Sequence, residues 1–319
     1  MQNDPLFLVN TKRACIACNN DETKREGCLV CQGTGNLPVD IGGLWAPSAA
    51  FLVCGGPSIN KLPYEKLSER GIVSLAVNNI AGHVPVTSWV FSDPQNKFHH
   101  GLFLDPKIIT FAPLGKLKRK VRAKLPDGTF RGVKIRVREC PGTFGFNRRT
   151  EFDAKTFLTT KFAHWGRGGK QNENDRPFSC LCTMLLGIRL LHYLGCPRVY
   201  MLGVDFKRTE EAQYAFKQEA GLNNGRYKNE NAMLAELKPY FDQEGFSLFN
   251  CNPESGCDVF PKVSFEQAFD DCKGGVPSTP FDLSDWYSKS LLKENEEKFP
   301  HSIGCKELAK IQKEADKHE

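Results

Sequence analysis

The sequence has no run of about 18 uninterrupted apolar residues, which excludes a helical membrane span. It also lacks the opening of a secretory signal. The start, MQNDPLFLVNTKR, carries an acid and a proline where basic residues would stand, and its apolar run, Leu6 to Val9, is too short for a signal core. A cytoplasmic protein is the expectation. The stretch FLVCGGPSIN, Phe51 to Asn60, is neither GxGxxG nor GxxxxGK[ST], so it supports neither a dinucleotide fingerprint nor a P-loop. There is no DxD pair to hold a metal beside a diphosphate, and no internal repeat. Acids are locally scarce: residues 115–149 contain only Asp127 and Glu139 among many lysines and arginines.

What remains is ample for folding. The chain has 319 residues, 40% of them hydrophobic, with a net charge of +6. At roughly 100–200 residues per domain, that length suggests two domains, or one with an appendage. Thirteen cysteines without a signal read as thiols and metal ligands rather than disulfides.

The cysteines are clustered at the start. Cys15-x2-Cys18 and Cys28-x2-Cys31 each present two thiolates at a tight turn, and four thiolates complete a tetrahedral zinc site. The loop between them is polar and cannot fold by burial, so a metal would supply the folding free energy. Such a site is closed and structural. From residue 48 onward, short apolar strands alternate with helical or turn segments: AAFLVCG, IVSLAVNN, SWVFSDP, KIITFAP, VYMLGVD and FSLFNCNP. LPYEKLSERG reads as a helix ending at Gly71, Thr183–Leu194 as an apolar helix stopped by Gly195, and NENAMLAELKPYFDQEG as another helix.

This alternation predicts an α/β fold: a nucleotide-binding, Rossmann-like, mainly parallel sheet with an N-terminal zinc ribbon and a basic β-hairpin insertion. The expected boundaries are 1–45 for the zinc module, 46–281 for the α/β domain with its insertion at 115–149, and 282–319 for a charged helical tail.

In the insertion, LPDGTFRG forms the turn between two basic strands. Alternation sets Val133, Ile135 and Val137 against Lys134, Arg136 and Arg138, and the first strand adds Lys118, Arg119, Lys120 and Arg122. With Phe130, Phe144 and Phe146 among the cations, the ribbon reads as a DNA-contacting surface.

Ligands of open α/β sheets bind beyond the carboxyl ends of the strands. There the sequence places Gly55, Gly56, Pro57 and Ser58, then Asn78 and Asn79, then Ser92 and Asp93, then Gly203 and Asp205. Glycines would let the backbone reach a phosphate, asparagines would hold base or sugar edges, and Asp93 or Asp205 would order a ribose or act as general base. His192 reads as a core histidine; His99, His100 and His164 read as surface groups.

Taken together, GGPSINKLPYEKL, LAVNN, VFSDP, SCLCTMLLGIRLLHYLGCPRVYMLGVDF and KNENAMLAELKPYF…FNCNPES resemble the bacterial sialyltransferases of glycosyltransferase family 42 and their relatives. The likeness runs in blocks from about 50 to 265. It implies a nucleotide-sugar donor bound without metal, with Gly56, Pro57 and Ser58 along the phosphates and ribose. Asn78 or Asn79 would stand for the family asparagine, Thr183 would lie in the nucleotide contact, and Gly203 and Asp205 would match a GxD strand end. Where the family has its catalytic histidine, this chain has Arg226, which cannot serve as a general base. Asp93 is then the first choice for that role.

The zinc module and basic ribbon fit a phosphate-bearing polymer as acceptor. The resemblance therefore extends to bacteriophage enzymes that glycosylate hydroxylated bases, such as 5-hydroxymethylcytosine, in DNA. Two other readings stand beside it: a pyrophosphokinase-like nucleotidyl enzyme acting on a small molecule, and a non-catalytic zinc-ribbon DNA adaptor.

Overall fold

The computed structural model describes residues 6–15, 17–18, 22–26, 28, 30, 34–124, 130–170, 177–179, 182–207, 214–216 and 225–273. The expected tail at 282–319, Cys31 and the hairpin turn at 125–129 lie outside these. The strands are β1 (Leu8–Ala14), β2 (Asn36–Val39), β3 (Ala50–Val53), β4 (Val73–Val77), β5 (Ser88–Val90), β6 (Ile109–Pro113) and β7 (Lys120–Lys124), followed by β8 (Phe130–Arg136), β9 (Thr143–Phe146), β10 (Arg148–Glu151), β11 (Ala163–Lys170), β12 (Pro177–Ser179), β13 (Arg198–Leu202) and β14 (Ser247–Asn250). The α-helices are α1 (Glu22–Arg25), α2 (His100–Leu104), α3 (Thr183–Tyr193), α4 (Gly225–Gln243) and α5 (Phe265–Cys272). None of the described helices is long and apolar enough to cross a membrane.

The chain divides into two compact units. The first is built from Ile41–Ile80 and Arg148–Ser278. Its strands run in the order β14-β13-β3-β4, and all the pairs are parallel. Parallel strands covered on both faces need continuous apolar runs rather than alternation. AFLV in β3 is buried at every position, and VSLAV in β4 at all but the last. Helix α3 lies against this sheet through Gly187, where a methyl group would come within 2.6 Å of Leu52 Cδ1. It ends where expected, at Gly195, whose φ of +89° suits glycine. A second, three-stranded sheet, β10-β11-β12, belongs to the same unit.

LPYEKLSERG does not form the expected helix. It makes a 3-10 turn at Tyr64–Ser68, after another at Pro57–Lys61. Pro63 explains the break. It holds the preceding Leu62 in extended geometry (φ −104°, ψ 149°) and contributes no amide hydrogen.

The second unit takes Phe7–Asp40 and Ala81–Asn147. In it β5, β6 and β9 are parallel, and β1 and β2 continue the sheet antiparallel from β9. TFGF, within the stretch expected as an insertion, is therefore a core strand, with Phe144 and Phe146 fully buried. They cannot stack on nucleobases, contrary to expectation. β1 lies in the same sheet because Leu8 and Val9 are buried, so the residues just before the first cysteine knuckle form a sheet strand of this unit. The basic hairpin is present as the antiparallel pair β7–β8.

Candidate functional site

In the first unit, the ends of β3, β4 and β13 carry the residues singled out by sequence. β3 runs into Cys54, Gly55, Gly56, Pro57 and Ser58, all half-buried. Gly56 donates its amide to the Gly203 carbonyl at 2.9 Å. A methyl on Gly56 would lie 2.5 Å from that oxygen, and one on Gly203 (φ +64°) would lie 2.2 Å from the Cys54 carbonyl oxygen. Both glycines are thus required by two chain segments passing at backbone contact.

Asp205 completes the lock. Its carboxylate accepts from the Ser58 amide at 2.9 Å, from the Ser58 hydroxyl in a very short contact, and from Asn252 Nδ2 at 2.8 Å. The residue is 6% exposed. The Gly56 and Ser58 amides, expected to face a phosphate, are instead occupied by protein acceptors. Asp205, expected to order a ribose or take a proton, has both oxygens engaged in holding the turn.

Asn78 follows β4 with φ 55°, a conformation asparagine tolerates. Its Nδ2 donates to Thr183 Oγ1 at 3.1 Å, at the start of α3. Asn79 is half-buried beside it in sequence. This joins two of the sequence candidates directly. Arg226 is the second residue of α4.

Several lining residues were not anticipated. Tyr214 and Phe216 stack on one another, with ring centroids 5.6 Å apart, and both come within 3.5 Å of a methyl placed on Gly55. The Ala215 amide between them donates to the Gly55 carbonyl. Phe206 adopts φ 50°, uncommon for an aromatic residue, and stacks on Tyr227 of α4 at 5.3 Å. Asn252 lies in the FNCNPES block, and its NP pairing was the available signal for a turn residue that bonds its surroundings. Glu230 is a further buried acid in α4. The Cys54 thiol is pushed well above its ordinary range by burial first, and then by Glu230 and Asp205. It stays protonated, and a thiol held neutral is a poor nucleophile.

Asp93 belongs to the second unit and pairs with Lys97 at 3.2 Å. His100 and His164, expected at the surface, are 1% and 4% exposed; His100 lies against the His99 ring with centroids 4.3 Å apart, and His164 stands edge-on to Phe157. His192 is half-buried with its ring edge-on to Phe246, and burial holds it neutral.

Two further groups lie in the second unit. The Sγ atoms of Cys15, Cys18 and Cys28 lie within 4.8 Å of one another, and Cys15 and Cys28 are 3.9 Å apart. Sulfurs around a tetrahedral zinc with bonds of about 2.3 Å stand about 3.8 Å apart, so the set fits a thiophilic metal. On the basic hairpin, Lys118, Arg119, Lys120, Arg122 and Lys134 are exposed, and Arg136 and Arg138 half-exposed, while Val121, Ala123, Val133, Ile135 and Val137 are buried.

No known protein family matches the sequence, and no curated protein does. Among solved structures, the chain is similar to the sialyltransferase CstII from Campylobacter jejuni in complex with a substrate analogue, cytidine-5'-monophosphate, at 11% identity and a TM-score of 0.36 over 80% of this chain and 98% of that one.

Proposed function

We propose that the chain is a glycosyltransferase that moves a sugar from a nucleotide-sugar donor to a hydroxylated base in DNA, in the cytoplasm. The observation that supports it most directly is the Asp205 lock. A buried carboxylate pins the Gly55–Ser58 turn at the carboxyl ends of parallel strands, where open α/β sheets take their ligands. Asn78, held to Thr183, lies at the end of the neighbouring strand.

In this reading Gly55, Pro57, Ser58, Asn78, Asn79 and Thr183 line the donor, with the Tyr214–Phe216 pair over Gly55. Asp205 and Gly203 keep the turn in shape. Arg226 and Lys228, in the first turns of α4, stabilise the leaving diphosphate as charge develops on it. A general base takes the acceptor hydroxyl's proton as the hydroxyl oxygen attacks the anomeric carbon and the diphosphate leaves. The acceptor base leaves its stack to react. Cys15, Cys18, Cys28 and Cys31 hold a structural zinc, which takes no part in transfer.

The test is a thermal-shift panel of nucleoside mono- and diphosphates. A ligand that binds the folded state raises the midpoint by mass action. One nucleobase series should stabilise the wild type, and Asn78→Ala should abolish the shift. Absence of stabilisation by every nucleotide would remove the donor from the reading.

A further inference from the structure

The outward face of the basic hairpin has a feature that charge alone does not explain. β7 and β8 pair with Lys120 opposite Arg136 and Arg122 opposite Gly132. Directly opposed residues of an antiparallel pair point to the same side. Lys120, Arg122, Lys134 and Arg136 therefore surround Gly132 on one face, while Val121, Val133 and Ile135 turn inward and are 0–1% exposed. Neither strand contains an acid.

Glycine weakens a strand and most often marks a bulge or the close approach of another group. The register of this hairpin does shift between Lys120 and Arg122. A bulge calls for glycine when φ is positive, and the φ of Gly132 is not in the left-handed region. Packing does not require it either. Among the described residues, a methyl there would meet one heavy atom within 4 Å, Lys120 Cδ at 3.9 Å, which is ordinary contact. Among the described residues there is room for a side chain at this position, and the chain carries none.

We propose that Gly132 is the floor of a seat for the phosphodiester backbone of a nucleic acid, with Lys120, Arg122, Lys134 and Arg136 as its walls. Exposed positions recur along one strand about every 6.7 Å, so alternate cations follow a polyanion rather than converge on a single ion. The seat is blind to sequence. Of the three phenylalanines expected to stack on bases, Phe144 and Phe146 are fully buried in β9, and the side chain of Phe130 lies outside the described residues. Phosphate contacts position a nucleic acid without reading it, so any choice of acceptor base must be made elsewhere. This rests on the DNA half of the function proposed above and deepens it.

The experiment is fluorescence anisotropy on the full chain with labelled 20-mer duplexes of two unrelated sequences, titrated from 50 to 300 mM NaCl. Wild type should bind both within about twofold, with a salt slope near −0.9 for each phosphate neutralised. Arg122→Glu with Lys134→Glu and Arg136→Glu should flatten the slope by about three such increments and weaken binding at least tenfold. Gly132→Val should weaken binding without flattening the slope, and Gly132→Ala should do so less, both at wild-type thermal midpoint. An unchanged slope in the charge-reversed chain overturns the proposal, as does wild-type affinity in Gly132→Val. Preference for one sequence, or tighter binding to poly-glutamate than to DNA, overturns it too. Nucleotide stabilisation measured on the same variants separates the two readings. If the ribbon variants lose DNA while no variant responds to nucleotides, the seat stands and the transferase reading fails.

Discussion

Removing the Asp205 carboxylate strands donors that have nowhere else to turn. Asp205→Ala leaves the Ser58 amide and Asn252 Nδ2 without their acceptor, and a buried unmade hydrogen bond costs about 1–3 kcal/mol. The loss should approach the lower bound for half-buried Ser58 and the upper for Asn252, which is 7% exposed. Asp205→Asn keeps an acceptor oxygen and should lose less. Urea unfolding of the two variants measures the difference; equal losses would mean that the charge, not the hydrogen-bond geometry, holds the turn.

A second residue-scale expectation concerns pH. The pKa of His192 is pushed down to about 4, by burial first and by the Arg189 guanidinium second. Unfolded, its imidazole takes up a proton near pH 6.5. Between those values the unfolded chain binds more protons, so stability falls as pH drops from about 6.5 toward about 4. His164, whose pKa is also lowered chiefly by burial, acts in the same direction. His192→Leu should flatten the dependence of the urea midpoint on pH across that window. An identical slope in the variant would place the acid sensitivity on other groups.

At the scale of elements, α3 packs closely on the sheet of the first unit. Gly187 faces Leu52 and Leu75, both fully buried, and a methyl would lie 2.6 Å and 3.0 Å from their side chains. Replacing glycine by alanine favours a helix by up to about 1 kcal/mol, whereas overpacking a core costs about 1–3 kcal/mol. Packing should win. Gly187→Ala should be destabilised by roughly 1 kcal/mol, and Gly187→Val by more, because the branch cannot retreat from the strand. Denaturant midpoints decide it, and a stabilised Gly187→Ala would show that the helix shifts freely on the sheet.

The elements also show what a sequence can reveal. β3, β4 and β13 were legible because parallel strands buried on both faces are written as largely apolar runs, and α3 because it ends on Gly195 before Pro197. The hairpin was legible because one face is charged and the other apolar. The 62–71 segment was misread as helix because its composition is helical while Pro63 forbids continuity. Phe144 and Phe146 were misjudged because their neighbours in sequence are cations, and only pairing with β6 and β1 shows them to be core. In the site, the glycines were found but their partners were not. That Gly56 meets Gly203, and that Asp205 holds Ser58, depends on β3 and β13 being adjacent, which lies more than a hundred residues away in sequence.

At the scale of the whole molecule, the chain has two units, each with its own packed residues, and the second contains a segment that burial alone does not explain. Around the first cysteine knuckle the buried cluster consists of Cys15 and Cys18, with Cys28 packed against them. Among the described residues, three thiols are a meagre core for a polar loop. A metal bound by thiolates supplies folding free energy directly, and its removal unfolds what it organised. The purified chain should therefore carry one equivalent of zinc, measured by elemental analysis, and Cys18→Ser with Cys28→Ser should carry almost none. A strong chelator should lower the thermal midpoint of the wild type by at least about 5 °C, since each kcal/mol lost moves a domain of this size by a few degrees. The doubly substituted chain should start at the lowered midpoint and ignore the chelator. The donor residues all belong to the other unit, so nucleotide stabilisation should survive in that variant. A metal-free wild type whose midpoint does not respond to chelation would leave the thiols as a small reduced core and remove zinc from the account, with the donor site untouched.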